Sequence, residues 1–401
     1  MTQKNMANRF KGDVIVWIAI IALCCYSVLA VYSGIAKKAP SGENIQLLKH
    51  VFIIAVGLGF MYLVHLVKWH NALQKLSLSL LIVSWILLII TLLFGKEVNA
   101  AKRWLDLYIF SVQTSDIAKL MLIVYLSTIL SNMKRYDKIF DAKQKLKNKT
   151  LQLILQPMII WVCVPIAITC GLIAIADNST AMILFAIAIL MMFFARVSIG
   201  KILLLAGVCV LGVFLLLSLG SGNRLKTGKG RWHNFIERND NPHSQEFKAK
   251  LAVAEGGIIR ISPGKSEQRF KLPNIESDYI FAIIVEEYGL LLGAVPIIGL
   301  FLILTFRGVR IALNSSRKFS AYLVLGITFV YVLQAFINIG VSVDLLPVTG
   351  QPMPFVSKGG SMFIVCCVAF GLVLSESRVN DEERIAKEMA EIKETKEEEE
   401  I

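Results

Sequence analysis

Residues 151–195 read LQLILQPMIIWVCVPIAITCGLIAIADNSTAMILFAIAILMMFFA, and Asp177 is the one charged residue in the whole stretch. A helix that crosses the hydrocarbon core of a bilayer needs about 20 predominantly apolar residues. The stretch therefore reads as two spans, Leu151–Ala176 and Asn178–Ala195, with Asp177 and the polar Asn178-Ser179-Thr180 as the break between them.

The same pattern repeats in both directions. Further spans are expected at Val14–Ala36, Val51–Val67, Leu76–Gly95, Ile117–Met133, Ile202–Gly220, Tyr279–Phe306, Phe319–Val343 and Gly359–Ser375. Ten spans in all predict an all-α integral membrane protein. The first is longer than a signal-peptide core and nine more follow it, so it is expected to be retained. Composition agrees: 56% of the 401 residues are hydrophobic, 18% are charged and mean hydropathy is +0.65. Ordinary soluble domains run at about 45–50% apolar and about 25% charged. A soluble globular enzyme, a disordered chain and a disulfide scaffold are excluded. All seven cysteines lie in apolar stretches without metal-ligand spacing, and read as small apolar residues.

Short loops set the orientation. With the N-terminus inside, the inner segments 1–13, 68–75, 134–150, 196–201 and 307–318 hold 18 Lys and Arg, against 7 in the outer segments 37–50, 96–116, 177 and 344–358. N-in/C-in is predicted, with a large extracytoplasmic loop, 221–278, between spans 7 and 8. That loop carries eleven Lys/Arg against seven Asp/Glu. It reads either as a solvated loop or as positive charge held for phosphate. The domain layout is then 1–375 for the ten-span unit and 376–401 for a charged cytoplasmic tail. From Asp381 the tail has ten acidic and four basic residues, a net −6, which leaves the preceding chain at +19 against +13 for the whole. Much of that excess flanks apolar spans, which favours membrane topology and an anionic substrate over nucleic acid. The tail is expected to be a polar helix or to stay disordered, and its charge suits a basic partner.

Charges in or beside spans mark functional sites by default. Arg103-Trp104 lies in an outer loop, followed by Ser115-Asp116-Ile117-Ala118-Lys119 at the start of the fourth span. Asp116 and Lys119, three apart, share a helix face and can pair. Lys119 can equally snorkel to the interface, and a lone outer tryptophan such as Trp104 can be an interfacial anchor. Asp278 sits at a loop–membrane boundary, where a helix cap is the ordinary role and a base the alternative. Glu286 and Glu287, about two turns into an apolar helix, need buried partners. Residues 345–361, LLPVTGQPMPFVSKGGS, hold three prolines and three glycines. They cannot form a continuous helix and cannot face lipid as irregular backbone, so they should line a cavity or re-enter the membrane.

In this order, these segments resemble the SEDS family (shape, elongation, division and sporulation) of bacterial cell-wall polymerases, over the chain from the first span to Ser375. Arg103-Trp104 is similar to the family's Arg-Trp, and Gln113 to Lys119 to its Gln-Pro-Ser-Glu-x-x-Lys. Leu272-Pro273, Ser277-Asp278-Tyr279-Ile280-Phe281 and Glu286-Glu287 resemble Leu-Pro-Glu…Thr-Asp-Phe-Ile-Phe…Glu-Glu. Leu346 to Ser361 resembles Leu-Leu-Pro-x-x-Gly-x-Pro-x-Pro-Phe-x-Ser-Tyr-Gly-Gly-Ser. Thr114, Asp116, Asn274 and Lys358 depart from the usual Pro, Glu, Glu and Tyr, and Asp344 and Arg260 stand at usual Gly positions.

The resemblance implies a multi-pass protein of the bacterial cytoplasmic membrane. It would polymerise lipid II, the undecaprenyl-diphosphate disaccharide pentapeptide, with a class B penicillin-binding protein transpeptidase and other divisome proteins as partners. Asp278 would be catalytic. Trp104, Arg103, Lys119, Asp116, Arg231, Glu286, Glu287, Ser357 and Lys358 would bind substrate or support the site. The short chain, Ser357-Lys358-Gly359-Gly360-Ser361 and the simple tail point to a division-type rather than an elongation-type member. An α-linked donor giving a β-linked product needs one base and stabilisation of the leaving diphosphate. Arg103, Lys119, Arg231 or a divalent cation such as Mg2+ could supply that stabilisation. A transporter of the same lipid also fits ten spans and broken segments. The outer position of Asp278 and Arg103 separates the two, since a flippase needs a polar path at the midplane.

Overall fold

The computed structural model describes residues 12–35, 43–98, 101–106, 111–133, 157–203, 206–207, 244–268 and 278–399. The chain is a bundle of apolar helices: α1 Val14–Ile35, α2 Glu43–His65, α3 His70–Phe94, α4 Thr114–Ser131, α5 Pro157–Ala176, α6 Asn178–Phe194, a short polar α7 Gln245–Gly256, α8 Ile280–Gly289, α9 Val295–Leu313, α10 Lys318–Ser342 and α11 Gly360–Glu399. Among the described residues, seven stretches of helix are long and apolar enough to cross a membrane. With the apolar α5 and α6, they correspond to nine of the ten expected spans. The expected seventh, Ile202–Gly220, lies almost entirely outside the described residues. The protein is a multi-pass membrane protein.

Helix α4 is the hub, 83% of its span being buried, and it packs on α3, α5, α6 and α10. Helices α2 and α3 are buried over only 22% and 28% of theirs. Their exposed faces are apolar, which suits lipid rather than water. Pro165 interrupts α5 and removes the amide that would bond Trp161 four residues back. The Tyr125 hydroxyl of α4 fills that place, donating to the Trp161 carbonyl at 2.9 Å.

Two features correct the sequence-based picture, and a third takes one of its two alternatives. The outer loop after α3 is not irregular: β1 Lys96–Val98, β2 Ala101–Asp106 and β3 Ser111–Gln113 form an antiparallel sheet in the order β1-β2-β3, so the fold is not purely α. The eighth span is not one helix either. Gly289 takes φ +74, which breaks it into α8, a π turn Leu290–Ala294 and α9. And the tail is helical, continuing the last span without a break to Glu399.

Residue Asp13, before α1, is clamped by Arg307 near the end of α9, with Nε and Nη2 both 2.6 Å from Asp13 Oδ2. Asn380, in the polar half of α11, donates to the Ile311 carbonyl at 3.0 Å. The start of the chain's first helix and its charged tail therefore share one end of the bundle. Asp278, ahead of α8, belongs to the other.

Candidate active site

At that other end the Pro/Gly-rich segment 344–359 folds over the bundle, held by amide side chains from the buried face of α10. Gln334 and Asn338 are one turn apart and each is 1% exposed. Gln334 Nε2 donates to the Pro352 carbonyl at 2.9 Å. Asn338 Nδ2 donates to the Gln351 carbonyl at 2.8 Å and to the Asp278 carbonyl at 3.0 Å. One side chain thus pins the expected catalytic residue to the segment beside it. Gly350 takes φ +66 at this point, and a Cβ there would lie 3.8 Å from Asp278 Oδ2. Asp278 itself is half-buried. It precedes Tyr279, which occupies the N-cap position of α8 without a side-chain cap.

Asp177 is a second hub. As the N-cap of α6 it accepts from the Ser179 and Thr180 amides at 3.1 and 3.2 Å through Oδ1. Through Oδ2 it accepts from Thr180 Oγ1 at 2.9 Å and Gln351 Nε2 at 3.2 Å, with Arg103 Nη1 at 3.3 Å. Arg103 also donates from Nε to the Ala176 carbonyl at 2.9 Å. Arg103 and Asp278 are thereby linked through Asp177, Gln351 and Asn338. A small cavity lined by Lys102, Arg103, Thr114, Ser115 and Asp177 opens beside them. Trp104 lies half-buried on the central strand, opposite Gln113.

Of the two readings of Lys119, the structure takes pairing and corrects snorkelling. Its side chain is 2% exposed, 2.8 Å from Asp116 Oδ1, and donates to Gln334 Oε1 at 3.1 Å. The shortened Asp116 still reaches the lysine because both lie on one face of α4. Since Gln334 also holds Pro352, the ion pair is tied to the Pro/Gly-rich segment. Ser357 closes a turn inside that segment, its Oγ accepting from the Met353 amide at 2.8 Å. Lys358 follows, half-buried. Ser361 Oγ accepts from the Gln113 amide at 3.2 Å, fastening the start of α11 to the β-sheet. Asp344 adopts φ +56, a backbone region that glycine enters more easily. Its carboxylate meets Lys250 of α7 at 2.6 Å.

Glu286 and Glu287 do find buried partners, but in a loop rather than beside Asp278. They stand roughly 10 Å further along the α8 axis. Glu287 Oε1 accepts from the Ser33 hydroxyl and from the Gly264 and Ser266 amides, the last two at 3.0 and 3.3 Å. Glu286 accepts from Ser266 Oγ at 2.5 Å and from the Glu267 and Gln268 amides at 2.8 and 3.3 Å. Two carboxylates thus gather the amides of Gly264, Ser266, Glu267 and Gln268, which have no sheet or helix to satisfy them. Arg231 and the stretch from Leu272 to Ser277 lie outside the described residues. Among the described residues no group of three or more His, Cys, Asp and Glu side chains is placed to hold a metal ion.

The sequence reading passed over Asn338, Gln334 and Gln351, and took Asp177 only as part of the break between two spans. A signal for the first two was present: Gln334 and Asn338, four apart inside an apolar span, fall on one face.

A family model described as "Cell cycle protein", covering FtsW, RodA and SpoVE, matches residues 13–382. A probable peptidoglycan glycosyltransferase FtsW of Coxiella burnetii is 31% identical over 392 residues, covering 93% of this chain and 98% of that protein. Stage V sporulation protein E of Bacillus subtilis is 28% identical over 380 residues, covering 92% and 98%. Among solved structures, a chain from a peptidoglycan synthase complex described for coordination of polymerization and crosslinking superposes with a TM-score of 0.71 at 21% identity, covering 92% of this chain and 98% of that one. The rod shape determining protein RodA of Thermus thermophilus gives a TM-score of 0.61 at 22% identity, covering 92% and 97%. At such identities the two structures speak for the fold.

Proposed function

This chain belongs to the FtsW/RodA/SpoVE family of cell cycle proteins, and from that premise we infer that it is a peptidoglycan glycosyltransferase serving cell division. It polymerises lipid II into glycan strands at the outer face of the bacterial cytoplasmic membrane. The relatives named FtsW support the division role. In this reading the topology is ten spans, N-in and C-in, with the 221–278 loop outside, and a class B penicillin-binding protein cross-links the product. The observation that carries the mechanism is the seating of Asp278. Its backbone carbonyl is fixed by Asn338, which also holds the Gln351 carbonyl, while its half-buried side chain lies beside Gly350.

The reaction joins an acceptor sugar hydroxyl to the anomeric carbon of a diphosphate-linked donor. Inversion by one displacement needs a base on the acceptor and charge compensation on the leaving group. Asp278 takes the hydroxyl proton, a contribution of about 10²- to 10⁴-fold. The diphosphate leaves as an anion, so no acid is required. Lys119 is spent inside its pair with Asp116, and Glu286 and Glu287 are spent on the loop, so these three position rather than react. Arg103, partly exposed and tied to Asp177, half-buried Lys358, and Arg231 beyond the described residues are the cations assigned to the departing charge.

The test is glycan synthesis from purified lipid II by the chain with its transpeptidase, read by gel. Wild type should yield polymer, and Asp278→Asn should yield a folded protein without it. Polymer from the variant at near wild-type rate overturns the assignment. Lipid movement in vesicles without any polymer from wild type would favour transport instead.

A further inference from the structure

At the end of the bundle away from Asp278, three parts of the chain converge: Gly12 before α1, His65 at the end of α2 and Arg378 in α11. A Cβ on Gly12 would lie 3.2 Å from the Leu374 carbonyl oxygen, 3.4 Å from His65 Cε1 and 3.7 Å from the Arg378 backbone nitrogen. His65 is 1% exposed; it hydrogen-bonds the Leu374 backbone, and its Nδ1 has no partner. Arg378 Nε and Nη2 are buried and likewise lack an acceptor. The two side chains lie within electrostatic range of each other, so each cationic charge there adds to the cost.

A guanidinium does not shed its proton, and burying part of one without counter-charge is unfavourable. The acids around it are committed elsewhere. Glu382 binds Lys68 at 2.8 Å, Glu383 binds Arg317 at 2.7 Å, and Asp13 binds Arg307. Asp381 leans to Arg384 at 3.7 Å, and Glu376, two residues back on α11 and so on another face, lies against Ser320 and keeps an unpartnered Oε2. Residues 1–11 contain Lys4, Arg9 and Lys11 and no Asp or Glu. Among the described residues no acid pairs with Arg378. Next to His65 the exposed side chains are apolar Leu63, Leu66 and Val67 together with the charged Lys68, a mixture that suits the boundary between acyl chains and headgroups.

We propose that Arg378 and His65 form a binding site for a phosphate-class oxyanion, carried by an anionic lipid headgroup or free in solution. The Arg378 fork offers two parallel donors to a phosphate, and His65 Nδ1 donates a third when the ring is protonated. The site is distinct from the glycosyl-transfer centre and lies at the opposite end of the bundle.

The test is thermal unfolding of the purified full chain in neutral detergent at fixed ionic strength, titrated with phosphatidylglycerol, phosphatidylcholine or inorganic phosphate. Phosphatidylglycerol should stabilise wild type at concentrations at least about tenfold below phosphatidylcholine. Arg378→Gln should abolish that difference, Arg378→Lys should keep part of it, and His65→Phe should weaken it. Inorganic phosphate acting as well as the lipid identifies a free oxyanion; the lipid acting alone identifies the headgroup. Identical responses to the two lipids with no response to phosphate overturn the site, as does a full response in Arg378→Gln. Should that variant not fold, Arg378→Lys and His65→Phe decide: responses equal to wild type in both refute the proposal.

Discussion

Asn338 Nδ2 lies 3.0 Å from the carbonyl oxygen of Asp278, and the same nitrogen lies 2.8 Å from the carbonyl of Gln351. A membrane-embedded amide therefore sets the position of an acid that its own helix does not cap. Replacing Asn338 with Leu keeps the volume and removes both bonds. Each buried acceptor left without a donor costs about 1–3 kcal/mol. Glycan synthesis should fall by about tenfold or more, mainly in kcat, because Asp278, the proposed base, loses its alignment with the acceptor hydroxyl. Unchanged kcat alongside a lowered melting temperature would reduce Asn338 to a structural role.

The Lys119–Asp116 pair gives a different expectation from an exposed ion pair. Both side chains are nearly sealed, at 2% and 4% exposure. Removing one partner strands the other charge, at a cost of about 3–5 kcal/mol. Lys119→Met should therefore unfold at markedly lower temperature, and adding Asp116→Leu should restore much of the loss. A single variant as stable as wild type would mean that the lysine does reach the interface after all.

These networks show which parts of the structure could be read in the one-dimensional chain. Spans announce themselves because apolar runs of about 20 residues have few alternatives. Asp116 and Lys119 announced their shared face through spacing, though burial was needed to choose pairing over snorkelling. Glu286 and Glu287 demanded partners, yet the amides that answer belong to 264–268, a stretch without hydrophobic period. The sheet at 96–113 escaped because its strands have 3, 6 and 3 residues, too few for alternation to register. The break at Gly289 rests on one glycine among residues that otherwise favour helix. The site itself split likewise: Arg103 and Asp278 stood out as charges, but the amides joining them are uncharged and were hidden within an apolar helix and a proline-rich turn.

The Glu286–Glu287 loop anchor should be separable from catalysis in a direct way. Glu287→Ala removes the acceptor for Gly264, Ser266 and Ser33 at once. Limited proteolysis within 257–268 should accelerate by about tenfold or more, since local opening there loses charge-assisted bonds worth about 1.5–3 kcal/mol each. The sites cut elsewhere should not change. Equal protection in variant and wild type would show that the loop is held by other contacts.

Gly289 offers a sharper test of the broken span. Its φ is +74, and a Cβ there would come within 2.8 Å of the Ile258 carbonyl oxygen and 2.9 Å of the Arg260 nitrogen, both backbone atoms. The Leu290 and Leu291 amides bond the carbonyls of Gly257 and Ile258 at 3.0 and 2.9 Å, so the loop cannot retreat without breaking them. Gly289→Ala then combines a left-handed backbone cost with a backbone clash. The two together should destabilise by about 2–4 kcal/mol. An ordinary continuous helix would instead gain about 1 kcal/mol from the same change. The sign of the shift in melting temperature thus decides between a helix broken at this residue and one that runs through it.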